Sequence, residues 1–337
     1  MKKGILAASV AVLLGACGGG GGGGGSVAPS TPVAIQITQD NARPVGAHAT
    51  DSVQNTGAAQ GSTSLITGVQ VEGGGNSGSA SMLSLAGVVR SLAGRAPGPA
   101  LASGIEFTEA CDGGRGTITV SGSVADENRL ARGDSITIRA SQCSVGGDFI
   151  DGAMSISVTD GQMSSVVPYP FRIVLAVVAS KLSVSSGGVT ATSNGDVTLD
   201  WSATSDTEQT LLASGSSLSN GMIAGGVSRS ATWRNYSQSI RLSGTEVTST
   251  LSADVESDSP QLGAGGGSYG VTTPTALRWN TATGLPVAGV IVVSGAADSR
   301  LKLTFAPGGA TLDIDADGDG SYESVVNSTA AELRDLL

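Results

Sequence analysis

The sequence is poor in charged and aromatic residues, and lysine is especially scarce. Charged residues make up 14% of the 337 positions and aromatic residues 3%, whereas a typical soluble domain is about 25% charged. The formal net charge is −10, so the chain lacks the basic surface with which proteins bind nucleic acid. No lysine stands in a GxxxxGK(S/T) loop, which excludes a nucleotide site of that type. We therefore expect no nucleic-acid partner.

Groups suited to acid–base catalysis are also scarce. The one histidine, His48, falls in a stretch that we predict to be a solvated linker. The predicted folded region therefore holds no histidine base. A pair of carboxylates is the remaining option, as in glycosidases. The Asp and Glu residues are scattered over predicted turns, however, and three tryptophans offer little for sugar stacking. We predict that the protein is not an enzyme.

Residues 1–16 have the pattern of an export signal. Lys2 and Lys3 form a short positive segment, and the apolar run 4–14 is too short to span a bilayer as a permanent helix. It leads into Leu14-Gly15-Ala16-Cys17, which resembles the lipobox of bacterial lipoproteins. In that family the signal is cleaved before the cysteine, which receives a diacylglycerol on sulfur and an acyl chain on nitrogen. The resemblance implies a lipidated Cys17 at the start of the mature chain. The alternative is an ordinary secretory signal.

The same resemblance predicts a location. Gly18 follows the cysteine, in place of the aspartate that the family associates with retention in the inner membrane. The resemblance therefore implies an outer-membrane protein held by its N-terminal lipid, on the periplasmic face or the cell surface. Each buried CH₂ of an acyl chain contributes about 0.8 kcal/mol, so several chains on one residue give a stable anchor.

Residues 17–62 are predicted to be the lipidated cysteine followed by a flexible linker. A glycine run occupies 18–25, and the Pro-, Ala-, Thr- and Gln-rich stretch after it shows no sustained apolar period. The first predicted ordered element is an amphipathic helix over 81–93. Its apolar residues recur at i, i+3 and i+4 spacing, and Gly94 ends it.

From Gly104 onward, apolar and polar residues alternate, which is typical of half-buried antiparallel strands. Polar clusters such as Ser186-Gly187-Gly188 and Asn194-Gly195-Asp196 predict tight turns between them. The segment Ile173–Ala179 is apolar throughout. It predicts a strand covered on both faces or one that lines an apolar cavity. The alternating runs are Ile118/Val120/Val124, Ile136/Ile138, Met154/Ile156/Val158, Val197/Leu199/Trp201, Ile240/Leu242, Leu251/Ala253/Val255, Leu301/Leu303/Phe305 and Leu312/Ile314.

The predicted fold is mainly β: a large antiparallel sheet, sandwich or open barrel, with one N-terminal and one short C-terminal helix. A capping-box arrangement from Ser328 to Glu332 opens the C-terminal helix. We expect a β domain with a disulfide over 63–256. A C-terminal β segment over 257–337 carries an Asp-rich turn, and we assign it to the same domain.

Cys111 and Cys143 remain as a pair once Cys17 is lipidated, and an even count in an oxidising compartment favours a disulfide. They bracket a predicted hairpin of 116–124 and 135–140. A redox or metal pair is the alternative, but the sequence has no CxxC spacing and no histidine nearby. Closing this loop adds roughly 3–4 kcal/mol in the chain-entropy model.

An acidic run near the C-terminus follows the pattern DxDxDGxxE, which resembles short calcium-binding loops of extracellular bacterial proteins. Its carboxylates occupy positions 1, 3, 5 and 9, namely Asp315, Asp317, Asp319 and Glu323. Hard cations need several carboxylate oxygens at one point. The match lacks the bidentate glutamate that a calcium loop can have at its twelfth position, which is Val326 here. The alternative is a plain Gly-Asp hairpin turn between strands 311–314 and 321–326. Calcium is thus a candidate cofactor, and no cofactor is certain.

The lipobox, the Cys111–Cys143 hairpin and the DxDGDGxYE turn before a closing helix together resemble an uncharacterised class of Gly/Ser/Thr-rich lipoproteins of Gram-negative bacteria. That class offers no activity to carry over. We predict a lipid-anchored cell-envelope β protein with a structural or interaction role and no catalysis, with calcium as a candidate stabiliser. The alternative is a lipoprotein that binds lipid or another apolar ligand in an open β cavity. The partners predicted are the membrane, through the lipid anchor, and an unidentified envelope protein or lipid.

Overall fold

A computed structural model describes residues 32–55, 105–126, 129–145, 147–164, 167, 169–280 and 285–337. The described residues all belong to one compact unit. The predicted signal segment, Cys17 and the predicted helix over 81–93 lie outside the described residues.

In the part of the chain that the structure describes, fifteen strands form a single antiparallel sheet, which confirms the mainly β prediction. One helix lies near the N-terminus, α1 (Ala42–Asn55), and a short one near the C-terminus, α2 (Ala330–Arg334). The strands are β1 (Ile105–Ala110), β2 (Thr117–Ser123), β3 (Arg129–Ala131), β4 (Ser135–Val145), β5 (Asp148–Ser164), β6 (Phe171–Ser186), β7 (Val189–Ala203), β8 (Glu208–Ala224), β9 (Val227–Ser243), β10 (Glu246–Ser257), β11 (Gly267–Asn280), β12 (Leu285–Ser294), β13 (Arg300–Ala306), β14 (Gly309–Asp315) and β15 (Ser324–Ser328).

The sheet is a meander in which strands that follow each other in sequence are hydrogen-bonded neighbours. The exception is β3, which pairs with the far end of β5 and leaves β2 to pair with β4. Pairing of β10 with β11 carries the sheet across the polar stretch between 257 and 267. The described strands do not close the sheet, because β1 and β15 each pair on one side.

The alternating runs form strands where the sequence predicts them, and two-residue turns join several of the longest. Ser186 pairs with Val189, so the turn between β6 and β7 consists of Gly187 and Gly188. Both glycines have positive φ angles, +57° and +83°. A tight hairpin turn of this kind requires that conformation at both positions, and only glycine adopts it without a steric cost.

One predicted turn is instead a β-bulge inside a strand. Asn194, Gly195 and Asp196 lie within β7, and the pairing register with β6 and β8 shifts there. The amide oxygen of Asn194 accepts the backbone N–H of Lys181 at 3.0 Å. The Asp196 carboxylate accepts the backbone N–H of Ser216 at 2.9 Å. The side chains of Asn194 and Asp196 therefore accept backbone N–H groups that have no strand partner at the bulges. Turns and bulges favour the same residue types, because both need side chains that accept such N–H groups.

The prediction of a linker over 17–62 is wrong for its C-terminal part, because residues 42–55 fold as α1. The carbonyl oxygen of Asn41 accepts the backbone N–H of Val45 at 3.0 Å, which begins the helix. The buried face consists mainly of small residues, and Val45 and Val53 are its large members. A face of Ala, Gly, Thr and Ser gives a weak hydrophobic period, so the helix is hard to recognise from sequence.

The apolar segment Ile173–Ala179 is covered on one face only. Ile173, Leu175, Val177 and Ala179 are buried, whereas Val178 is 44% exposed. The buried row belongs to the same hydrophobic core as the inward face of α1. The prediction of a strand covered on both faces is therefore wrong, and β6 follows the one-sided burial of its neighbours.

The C-terminal helix begins with the predicted capping box. The Thr329 hydroxyl accepts the backbone N–H of Glu332 at 3.0 Å, and the Glu332 carboxylate accepts the backbone N–H of Thr329 at 2.8 Å. Two N–H groups at the start of α2 are thereby satisfied. Leu333 is buried, so the helix closes the core next to α1.

Candidate metal centre

The acidic run lies in the turn that connects β14 with β15. Asp315 is the last residue of β14, and its side chain is fully buried. Ile314 pairs with Ser324, so the flanking strands form the predicted antiparallel hairpin. A hairpin is therefore formed as predicted, but its second strand begins at Ser324 and not at residue 321, so the turn spans 316–323.

The turn is organised by hydrogen bonds from its own backbone to its carboxylates. The two Asp315 oxygens accept the N–H of Gly318 at 2.7 Å and of Gly320 at 3.1 Å. Asp317 accepts the N–H of Asp319 at 3.2 Å, and Asp319 accepts that of Ser321 at 2.7 Å. Charged acceptors make these hydrogen bonds stronger than neutral ones. The backbone therefore coils around Asp315 and turns the remaining carboxylates in the same direction.

The four predicted ligands converge. One carboxylate oxygen from each residue can be chosen so that all four lie within 4.8 Å of one another, in the set Asp315, Asp317, Asp319 and Glu323. Two like charges at this separation repel by roughly 1 kcal/mol in bulk water and by more near a protein surface. The ion pairs of the described residues do not include these four carboxylates. A divalent cation at their centre would remove the repulsion.

The donor set fits a hard cation. Carboxylate oxygens are the ligands that calcium prefers, and each oxygen has a lone pair beyond the one used in a hydrogen bond. Val326 lies on β15 at the twelfth position, and its side chain offers no ligand. The arrangement supplies four protein oxygens from positions 1, 3, 5 and 9 of the turn, and further ligands would be water.

A neighbouring turn supports the acidic one. Ala297 and Asp298, between β12 and β13, both have positive φ angles, +52° and +57°. A Cβ at Gly318 would lie 2.5 Å from the Ala297 carbonyl oxygen and 2.9 Å from the Asp298 Cβ. Gly318 is therefore required for the two turns to pack this closely, and its own φ of +77° also favours glycine.

The cysteine pair is joined as the sequence predicts. Cys111 and Cys143 form a disulfide with a Cα–Cα distance of 5.4 Å. Cys143 lies on β4, and Cys111 directly precedes the short turn into β2. The bond therefore ties the edge of the sheet to its third strand. Both residues are buried, which fits a structural disulfide.

The environment of His48 differs from the predicted one. The imidazole lies on α1, and its Nε2 atom is buried without a hydrogen-bond partner in the described part of the chain. Burial, aided by the nearby Arg229 guanidinium, lowers the pKa of His48 to about 4, although a hydrogen bond with Gln261 acts in the opposite direction. The prediction of a solvated linker histidine is therefore wrong. The burial of His48 could be predicted only if the Ala- and Gly-rich helix α1 were recognised from the spacing of its small residues.

Comparison with protein-family models, with curated proteins and with solved structures finds no match. Among the described helices, none has the length and apolar character needed to cross a bilayer.

Proposed function

We propose that the chain is a lipid-anchored cell-envelope protein that displays its β domain from the membrane, in a structural or interaction role. The N-terminal residues Leu14 to Cys17 support the anchor, through their resemblance to a lipobox. A calcium ion held by the acidic turn stabilises the displayed domain. No catalytic step is part of this proposal.

One observation carries the calcium proposal: four carboxylate oxygens converge within 4.8 Å in a turn whose backbone is already ordered around them. Because Asp315 is fully buried at the end of β14, a cation there would connect the turn directly to the core. Binding to the folded state alone stabilises a protein by about 2.7 kcal/mol when the free ligand is at about 100 times Kd. Calcium is therefore expected to raise the free energy of unfolding of the sheet edge that contains β14 and β15.

The experiment is thermal unfolding of the full chain in EDTA, in millimolar calcium and in millimolar magnesium. We expect calcium to raise the midpoint and magnesium to raise it less, because magnesium demands a nearly octahedral site and loses water reluctantly. Asp317→Asn should abolish the calcium shift, and its midpoint in EDTA should be equal to that of the parent or slightly higher, since the amide oxygen can still accept the N–H of Asp319 and one repelling charge is removed. The matched control is Asp206→Asn, in the exposed turn between β7 and β8, which should keep the full calcium shift.

A parent protein whose midpoint is the same in EDTA and in calcium would overturn the calcium proposal. An equal shift in Asp317→Asn would also overturn it, because the ion would then bind elsewhere.

The anchor is tested separately, by the mass of the N-terminal peptide of protein purified from a Gram-negative host. We expect a peptide that begins at Cys17 and carries acyl chains, and an unmodified chain that leaves the membrane fraction in Cys17→Ser. A parent peptide without acyl chains would contradict the anchor and leave the calcium proposal untouched.

A further inference from the structure

The two ends of the sheet differ in their surface chemistry. At one end, called here the tip end, β4 turns into β5, β6 into β7 and β8 into β9. Four large apolar residues are exposed beside these three hairpin turns, and we call them the apolar rim: Phe149 (42% exposed), Val189 (38%), Ile223 (44%) and Val227 (58%). At the opposite end the described turns are polar, as in Thr204–Thr207 and Ser243–Glu246. Val167 is the exception there.

The strand register places the members of the apolar rim in two adjacent rows across the sheet. Phe149 and Ile223 occupy one row across β5 to β8, through Ser185 and Thr190. Val189 and Val227 lie one residue nearer the turns, on either side of Ala224. Side chains of successive residues point to opposite faces of a sheet. The hairpin tips therefore carry exposed apolar side chains on both faces, and no face of the sheet itself could bury all four residues.

The N-terminal segment joins the fold at the tip end. The carbonyl oxygen of Val33 accepts the backbone N–H of Ser268 at 2.9 Å, and the N–H of Ile35 donates to the Ser268 carbonyl oxygen at 3.0 Å. Ser268 is the second residue of β11, which starts at this end. Val33 is itself 74% exposed. The chain that leads back to Cys17 therefore leaves the domain beside the tips.

A hydrogen-bonded pair lies between this entry point and the apolar rim. Ser230, three residues after Val227, accepts the backbone N–H of Asp258 at 3.1 Å through its carbonyl oxygen. Its hydroxyl donates to the Asp258 carboxylate at 2.8 Å. Asp258 directly follows β10, whose last residue pairs with the first residue of β11. The tip of β9 and the start of β11 are thus neighbours at the same end.

The length of the tether limits how far this end can be from the lipid. Cys17 is 15 positions before Pro32, and a chain of that length spans at most about 50 Å when fully extended. A glycine-rich chain of 15 residues spans roughly 20 Å on average. The longest strands have 17 residues, which corresponds to roughly 55 Å. At its average length, this tether would therefore keep the tip end closer to the bilayer than the opposite end.

We propose that the apolar rim docks on the surface of the membrane that holds the Cys17 lipid, with Phe149, Val189, Ile223 and Val227 in the headgroup region. This inference rests on the proposed anchor. Exposed apolar side chains at the end of a domain favour transfer from water into the interface, and the anchor removes most of the entropic cost of bringing them there. The opposite end then points away from the membrane, toward any partner.

The test measures the depth of two labelled sites in the full chain, reconstituted into vesicles of phosphatidylcholine and phosphatidylethanolamine. These lipids carry no net charge, which matters because Asp317 and Asp319 lie at the same end and would be repelled by anionic lipids. An environment-sensitive fluorophore is attached to Ile223→Cys at the tips or to Thr245→Cys, an exposed residue in a turn of the opposite end. Thermal unfolding checks that both variants fold.

We expect the Ile223→Cys label to shift to the blue and to be quenched by lipids that carry a nitroxide near the headgroup. The Thr245→Cys label should show neither effect. A label at Ile223→Cys that remains in water overturns the docking proposal. A label that is shielded but escapes quenching by the lipids also overturns it, because a second copy or another protein would then cover the rim.

The mass of the Cys17 peptide separates this result from the anchor. If Cys17 carries acyl chains and the Ile223→Cys label is in water, docking fails and the anchor stands. If Cys17 carries none, the anchor fails, and the unanchored chain is sedimented with the same vesicles. Sedimentation that falls several-fold when Val189, Ile223 and Val227 are all changed to serine would then still support docking. Docking would also be overturned if the triple variant sedimented as much as the parent, or if the unanchored parent did not sediment with the vesicles.

Discussion

The Tyr236 hydroxyl donates a hydrogen bond of 2.7 Å to the backbone carbonyl oxygen of Asp196, across the strand that separates them. Tyr236 lies on β9, Asp196 on β7, and Gly215 of β8 stands directly opposite Tyr236. A Cβ at Gly215 would come 2.3 Å from the Asp196 oxygen and 2.6 Å from the Tyr236 hydroxyl oxygen. The hydrogen bond therefore exists because β8 has no side chain at this point.

This contact stabilises the bulge of β7 from two sides. The Asp196 carboxylate accepts the backbone N–H of Ser216 and of Ser217 on β8, while its carbonyl oxygen accepts from β9. Burial, with a smaller contribution from the Asp196 charge, raises the pKa of Tyr236, so the hydroxyl remains a donor at neutral pH. One residue of β7 is thus held by both following strands, at a point where the strand ladder is interrupted.

We predict that Gly215→Ala destabilises the fold more than Tyr236→Phe does. Loss of the Tyr236 hydroxyl removes one hydrogen bond, at a cost of about 1 kcal/mol. The alanine methyl group removes the same bond and also overpacks the site, for a total of about 2–4 kcal/mol. Urea unfolding of both variants measures the difference.

The control for this prediction is Gly270→Ala on β11. The nearest atom to a Cβ there is the Ser294 Cβ, at an ordinary 3.7 Å. We expect no loss of stability in this variant, since the methyl group has room and reduces the freedom of the unfolded chain. Equal effects at Gly215 and Gly270 would show that the close approach of Tyr236 to Asp196 contributes nothing to stability.

The disulfide should be a major source of stability at the β1–β2 edge. Cys111 and Cys143 are 32 positions apart, and closing a loop of this length contributes roughly 3–4 kcal/mol in the chain-entropy model. We predict that Cys111→Ala/Cys143→Ala lowers the free energy of unfolding by this amount. Adding reductant to the parent protein during urea unfolding should give the same loss.

The matched control for the disulfide is Cys17→Ser, which removes the remaining cysteine and should leave the unfolding midpoint unchanged. The predicted contribution is wrong if two samples of the parent unfold at the same urea concentration: one with the disulfide intact, and one that is reduced and shown to have both thiols free.

The strands could be predicted because most of the sheet buries one face, which imposes strict alternation on the sequence. β8 was harder to recognise, since Gly215-Ser216-Ser217 interrupts its alternation at the bulge. Asn194-Gly195-Asp196 was predicted as a turn because bulges and turns select the same residues. Sequence spacing cannot distinguish a turn from a bulge. The two differ in whether the polar side chains accept N–H groups of their own loop or of a neighbouring strand.

The acidic turn and the disulfide could also be predicted, and for a common reason. The ligands of the turn, from Asp315 to Glu323, are close in sequence, so their spacing alone brings them together. The two cysteines flank a hairpin, whose pairing aligns them. The pKa of His48 is affected by Arg229 and Gln261, which are about 180 and 210 positions away in the sequence. Such long-range contacts leave no local pattern in the sequence.

The position of His48 makes a prediction about stability in acid. Its pKa is lowered from 6.5 to about 4, chiefly by burial and then by the Arg229 guanidinium, so the folded state favours the neutral imidazole. Above pH 6.5 the group is neutral in both the folded and the unfolded state. Between pH 6.5 and 4 the unfolded chain binds the proton first, and the free energy of unfolding falls. The loss from this one group reaches at most about 3 kcal/mol.

We predict that His48→Gln removes this part of the acid sensitivity. Urea unfolding of the parent and the variant between pH 7.5 and 4 should give a difference in free energy that shrinks steadily below pH 6.5, since only the parent loses the histidine contribution. Arg229→Gln should act in the same direction but less, because burial is the larger cause of the lowered pKa. An NMR titration of the imidazole gives the folded-state pKa directly. A midpoint near 6.5 would mean that α1 does not bury His48 in solution, and parallel pH profiles of parent and variant would lead to the same conclusion.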